Sequence, residues 1–141
     1  MRIIVAGSRN FEDYDVVANR ILEFFRENKI TEQDMSRVEI ISGTAKGVDR
    51  LGERFAQEHG CKLTRMPADW DNYGRSAGMI RNAEMAKYAA ADPRKESILI
   101  AFWNGESHGT RGMIDIAYKH GLEIIVERID RLKGNKELWK R

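Results

Sequence analysis

The chain has 141 residues, with 24 lysines and arginines against 22 aspartates and glutamates, three histidines and one cysteine. That length buries one core without disulfide or metal support, the lone Cys61 excludes an intrachain disulfide framework, and a net charge of +2 gives no whole-chain argument for nucleic acid. No apolar run is long enough to span a bilayer, and Met1 leads straight into a predicted strand, so the expectation is a cytoplasmic protein with no signal peptide and no membrane contact.

Short apolar runs alternate with amphipathic stretches in the order βαβαβαβαβ. Ile3 to Ala6 predicts the first strand, and Asp13 caps a helix that puts Val17, Ile21, Phe24 and Phe25 on one face and ends at Asn28. Val38 to Ile41 predicts the second strand. Lys46 or Gly47 begins the second helix, with Val48, Leu51, Phe55 and Ala56 inward and Gly60 as its stop. After a third strand, Leu63 to Met66, the segment Gly74 to Gly78 reads as a loop, and a helix runs from about Ser76 to Ala90, unable to pass Pro93. Ile98 to Phe102 is the fourth strand. The last helix starts near Thr110, buries Ile114, Ala117 and Tyr118, and stops at Gly121 before a fifth strand, Glu123 to Val126. Strands separated by helices need crossovers, which are right-handed in nearly all cases, so the predicted fold is an α/β three-layer sandwich on a mainly parallel five-stranded sheet. The domain occupies residues 1–129. Residues 130–141 form a basic tail, expected to dock Leu138 and Trp139 because an indole is costly to leave in water.

Four glycine-bearing loops follow the first four strands, and in a parallel sheet all four lie at the carboxyl edge, where ligands bind near the reversal of strand order. They are Gly7-Ser8-Arg9, Ser42-Gly43-Thr44-Ala45-Lys46-Gly47, Gly74 to Gly78 and Asn104 to Thr110. None is a Walker A or a GxGxxG, so ordinary triphosphate hydrolysis and NAD-linked redox chemistry lose their usual signatures. Glycine admits phosphate close to the backbone, and helix N-termini supply N–H donors. Arg9 can grip a phosphate with paired hydrogen bonds, or be a solvated turn residue. Lys46 can neutralise a phosphate or lie on the surface. Trp70 can stack on a base or cover the core. Gly78 precedes Arg81 by one turn, and because glycine within a helix costs about 1 kcal/mol it suggests a close approach there. Arg81 is the strongest single candidate, read as a ligand group and not a scaffold group. Thr110 can cap the last helix while its hydroxyl meets phosphate. His59 and His120 sit at helix ends, where the dipole accounts for them. Histidine and cysteine spacing gives no metal site, no cofactor is called for, and no catalytic residue can be assigned from order alone.

The strings GSR at Gly7, SGTAKGVD at Ser42, PADWDNYGRSAGMIRNAEM at Pro67 and NGESHGT at Asn104 together resemble the SLOG superfamily of Rossmann-like proteins. That superfamily includes the LOG phosphoribohydrolases and the SMF/DprA DNA-processing proteins, and the match is nearest to its small YspA/YpsA-related branch of bacteria and phages. The resemblance implies a nucleotide or ADP-ribose-like ligand bound by Gly7, Ser8, Arg9, Ser42, Gly43, Lys46, Gly47, Asp49, Asp69, Trp70, Arg81, Asn82, Gly105, Gly109 and Thr110. It implies for Asp49 a role as acceptor from a ribose hydroxyl. A binding or sensing module is the leading reading. The alternatives are a nucleoside-monophosphate hydrolase, with an acid such as Asp69 or Glu106 acting on ribose, and a single-stranded DNA binder using Arg75, Arg81, Arg111 and the tail. The LOG enzymes carry PGGxGTxxE at the fourth loop. Met113 stands here in place of that glutamate, and Asp115, about 200° further round the helix, does not substitute for it. The resemblance also suggests a homo-oligomer.

Overall fold

A computed structural model describes residues 1–131; the expected docking of Leu138 and Trp139 lies outside the described residues. Five strands, β1 (Arg2–Gly7), β2 (Glu39–Ser42), β3 (Lys62–Arg65), β4 (Ser97–Trp103) and β5 (Glu123–Arg128), form one sheet in the order β3-β2-β1-β4-β5. Every pairing is parallel. β1 and β4 lie level at their ends, with Arg2 opposite Ser97 and Gly7 opposite Phe102. No helix among the described residues is long and apolar enough to cross a membrane.

The three central strands are apolar on both faces, as a sheet covered on both sides must be. Alternate residues therefore feed two cores. Ile3, Val5, Ile40, Ile98 and Ile100 pack with Val17, Ile21, Phe24 and Phe25 of α1 (Tyr14–Glu27) and Val48 and Phe55 of α2 (Val48–His59). Ile4, Ala6, Ile41, Leu99 and Ala101 face the other way, where two more helices cover them. After the four-residue α3 (Trp70–Tyr73) come α4 (Ala77–Ala90), giving Met85, Ala86 and Ala89, and α5 (His108–Lys119), giving Met113 and Ala117.

Three expectations need correction. Residues 74–78 are not an open loop: α3 passes through a 3₁₀ turn, Gly74–Ser76, directly into α4. The last helix begins at His108 and is capped by the Ser107 hydroxyl, which accepts from Thr110 N. Tyr118 is 77% exposed, because the buried stripe of α5 is Thr110, Met113 and Ala117, and position 118 lies roughly 100° round the helix from its centre.

The β1 loop is fastened to α2 by main chain alone. Val48 N donates to the Ser8 carbonyl at 3.1 Å, and the intervening Gly47, at φ +76°, brings its α-carbon so close that a β-carbon would collide with Ser8 O and stand 2.6 Å from Arg9 C. Gly47→Ala is therefore expected to lower stability by about 1–3 kcal/mol. Gly109→Ala, where nothing lies within 4 Å of the added atom, should stay within about 0.5 kcal/mol of the parent. Denaturant titration of the two variants checks the contrast.

Candidate functional site

The chain leaves β1 toward β2 on one side and returns from β3 to β4 on the other, so the connections diverge between β1 and β4. A cavity of about 550 Å³ opens there at the carboxyl edge. Its walls are the β1 loop from Gly7 to Asn10, Ala45 and Asp49 at the start of α2, the segment carrying Trp70 and Arg75, the first turns of α4, and Asn104 with Ser107 to Thr110 at the start of α5. Among the predicted site residues, Gly7, Ser8, Arg9, Asp49, Trp70, Arg81, Asn82, Gly109 and Thr110 line this one space.

Arg81 is the buried centre of the wall. From α4 it reaches over the sheet edge to donate through Nη1 to the Gly43 carbonyl at 2.5 Å, while its Nε donates to Asn82 Oδ1 at 3.1 Å. Gly43 leaves room for this arrangement: a β-carbon would stand 2.9 Å from both Arg81 Nη1 and Asp49 Oδ2, so either side chain would have to shift. Arg81 is thus scaffold as well as wall, which corrects the reading of it as a ligand group alone. Asp49 accepts from Ala45 N at 3.0 Å. Burial pushes its carboxyl up to about 6, outweighing the Ala45 hydrogen bond and the attraction of Arg81 and Arg9, with Glu53 adding to the rise. Burial also lowers the Arg81 pKa, against the pull of Asp49.

The remaining predicted residues stand behind or beside the cavity. Ser42 is fully buried; its hydroxyl donates to Glu53 Oε2 at 2.6 Å and accepts from Thr44 N at 3.0 Å. Gly43 makes room for the Arg81 and Asp49 side chains, and Gly47 for the Ser8–Arg9 backbone. Lys46 is exposed and does not line the cavity. Asp69 caps α3, accepting from Asn72 N at 3.2 Å and Asn72 Nδ2 at 2.7 Å, so it is occupied as a helix cap. Gly105, at φ +84°, makes room for the Arg128 guanidinium, and Glu106 is exposed outside the lining.

Sequence reasoning passed over Glu53, buried one turn beyond Asp49 and paired with Arg65 Nε at 2.9 Å. The i,i+4 spacing of two acids on an otherwise apolar face is the signal that could have found it. It also passed over Asn10, Asn104 and Ser107 in the lining. Asn104 shapes the fourth loop, its Oδ1 accepting from Glu106 N at 2.9 Å and Ser107 N at 2.8 Å. Met113, where the LOG motif has glutamate, is 1% exposed and forms part of the cavity wall. No group of three or more histidine, cysteine, aspartate or glutamate side chains suited to a metal occurs among the described residues.

With this geometry in place, the comparisons with known proteins fall in line with the motifs. The model of the YAcAr family, described as the YspA, cpYpsA-related SLOG family, matches residues 1–73. The Gene 61 protein of Mycobacterium phage D29 is 30% identical over 129 residues, covering 88% of this chain and 94% of its own. No solved structure matches.

The raised Asp49 pKa sets a pH dependence. The folded state holds the Asp49 proton more tightly than the unfolded chain, so this contribution to stability is complete below about 3.8 and is lost as pH rises through about 6. About two pH units correspond to roughly 3 kcal/mol at most. Asp49→Asn, which keeps an acceptor for Ala45 N, should therefore gain stability relative to the parent between pH 4 and pH 7. Paired denaturant titrations across that range measure the difference, and a constant offset between the proteins would contradict the assignment.

Proposed function

The chain belongs to the YspA, cpYpsA-related SLOG family, and from that membership and the cleft at the carboxyl edge of its sheet we propose that it is a binding or sensing module for a small nucleotide-derived ligand held through phosphate. The observation that carries the reading is the charge of the cavity wall. Arg9, Arg75 and Arg81 line it against a single acid, Asp49, and that acid is the one whose burial favours the neutral form. The N-terminus of α5, with His108, Gly109 and Thr110 in the lining, adds backbone donors and the positive end of a helix dipole. Arg9 and Arg75 are exposed and make no ion pair among the described residues. Their guanidinium groups are open to a phosphate, for which paired donors are well suited.

A second reading is favoured by Asp49 alone. A carboxyl poised near neutral pH in a cleft is a candidate general acid or base, and it would act on the ribosyl bond of a nucleoside monophosphate. Against it stands Met113, a thioether in place of the carboxylate that the LOG motif supplies to that reaction.

Titration calorimetry with nucleoside 5′-monophosphates distinguishes these readings from no site at all. Arg9→Ala should weaken binding about ten- to a hundredfold, the loss expected of a charge-assisted hydrogen bond, with the unliganded thermal midpoint unchanged. Arg81→Ala should lower both affinity and midpoint, because it also removes the Gly43 tie. Unaltered affinity in Arg9→Ala would defeat the phosphate assignment.

Release of free base from the monophosphates should be undetectable beside a LOG enzyme, since general acid–base assistance is worth about a hundred- to ten-thousandfold. Rapid release that Asp49→Asn abolishes would replace the sensing reading with the hydrolytic one.

A further inference from the structure

The apolar part of the cavity wall is unlike the rest of the protein surface. From Asp69 to Ser76 all eight residues are exposed. Two of them are aromatic, Trp70 at 50% and Tyr73 at 53% exposure, and Met79 on the next turn is 46% exposed. Trp70 is part of the cavity wall and Tyr73 is not. An indole that served to cover the core would be buried; this one packs instead over the start of α4, its Cη2 3.5 Å from where a β-carbon of Gly78 would stand. A β-carbon at Gly78 would meet the ring in ordinary van der Waals contact, so the indole lies directly over this turn of the helix. Met79 does the same across the adjoining helix, its Cε 2.9 Å and Sδ 3.0 Å from the β-carbon position of Gly112. Gly112 on α5 thus leaves room for the Met79 thioether, and Trp70 and Met79 both line the cleft. Met85 and Met113 continue that apolar lining inward. The cationic lining comes from Arg9 in the β1 loop, from Arg81, whose guanidinium reaches the end of β2, and from Arg75 on the same segment as Trp70.

We propose that Trp70, with Met79 beside it, is the stacking platform for a planar heteroaromatic ring, so that the cavity takes a ligand with an anionic end at Arg9 and Arg81 and a ring end at the α3–α4 wall. This rests on the phosphate reading above and adds the part of the ligand that phosphate contacts cannot select. Stacking suits the arrangement because every nucleobase has a π-face and an exposed indole costs nothing further to desolvate on one side when a ring covers it. Tyr73 stays outside the cavity as the built-in control: the same exposure on the same short helix, without access to the ligand.

The test is calorimetric titration of the full chain with the four nucleoside 5′-monophosphates and with ribose 5-phosphate, in the parent, Trp70→Ala, Trp70→Phe and Tyr73→Ala proteins. At least one monophosphate should bind the parent more tightly than ribose 5-phosphate. Trp70→Ala should weaken that monophosphate about five- to a hundredfold and leave ribose 5-phosphate within twofold; Trp70→Phe should recover most of the loss, and Tyr73→Ala should behave as the parent. Indole emission should be quenched by the monophosphate in the parent and much less in Trp70→Phe. An equal loss for both probes in Trp70→Ala, or no loss for either, overturns the stacking role. If ribose 5-phosphate binds and no monophosphate binds more tightly, stacking falls while the phosphate site stands; if neither probe binds the parent, both fall.

Discussion

A guanidinium placed on one helical layer and hydrogen-bonded to a carbonyl at the sheet edge is the constraint on which the site depends. Arg81 belongs to α4, whose buried residues pack on the Ile4 and Leu99 face, yet its Nη1 ends at Gly43, next to Asp49 of α2, whose helix packs on the opposite face. The side chain bridges the two layers over the end of β2. A buried cation is costly without partners, and here backbone oxygen, the Asn82 amide and a nearby carboxyl share that burden. Removing any of them leaves polar atoms unsatisfied inside the protein, a larger loss than the net worth of one hydrogen bond.

The same junction decides how acids are used. Glu53 has its demands met by the Ser42 hydroxyl and Arg65. Asp49, four residues earlier on the same helix, has one backbone donor and no ion pair within 4.0 Å among the described residues, and its burial makes its proton hard to remove. One buried acid is therefore spent on holding the second loop, and the other is left facing the cleft, where it tempers the positive charge of three arginines. Two carboxyls one turn apart on one helix thus differ in their partners, a hydroxyl from β2 and an arginine from β3 going to Glu53.

Much of this was legible in the chain. The periodicity of Val17, Ile21, Phe24 and Phe25 gave α1, because an amphipathic stripe must match the surface it covers, and alternation of helices with short apolar runs gave a parallel sheet. Four loops at one edge gave the place of the cleft. What sequence could not convey was which polar residues were already engaged. Asp69 and Ser42 have the right chemistry at the right edge, but a helix cap and a buried carboxylate take up their hydrogen bonds. Glycines misled in the same manner: Gly47 signalled a close approach, and the approaching group is the Ser8–Arg9 backbone. Residues 74–78 were misread because glycine and serine are turn formers locally, whereas the turn they form is a 3₁₀ turn, Gly74–Ser76, that leads directly into α4 at Ala77.

The staple between Ser8 carbonyl and Val48 amide has a bearing on how such a protein diversifies. It is made of main-chain atoms, and its one compositional demand is the absence of a side chain at position 47. The exposed side chains that border the cleft, Arg9 and Asn10, project from a loop whose course they do not determine. Replacing the side chains at positions 9 and 10 therefore leaves this staple untouched, so the border of the cleft and the fastening of its loop can be altered independently.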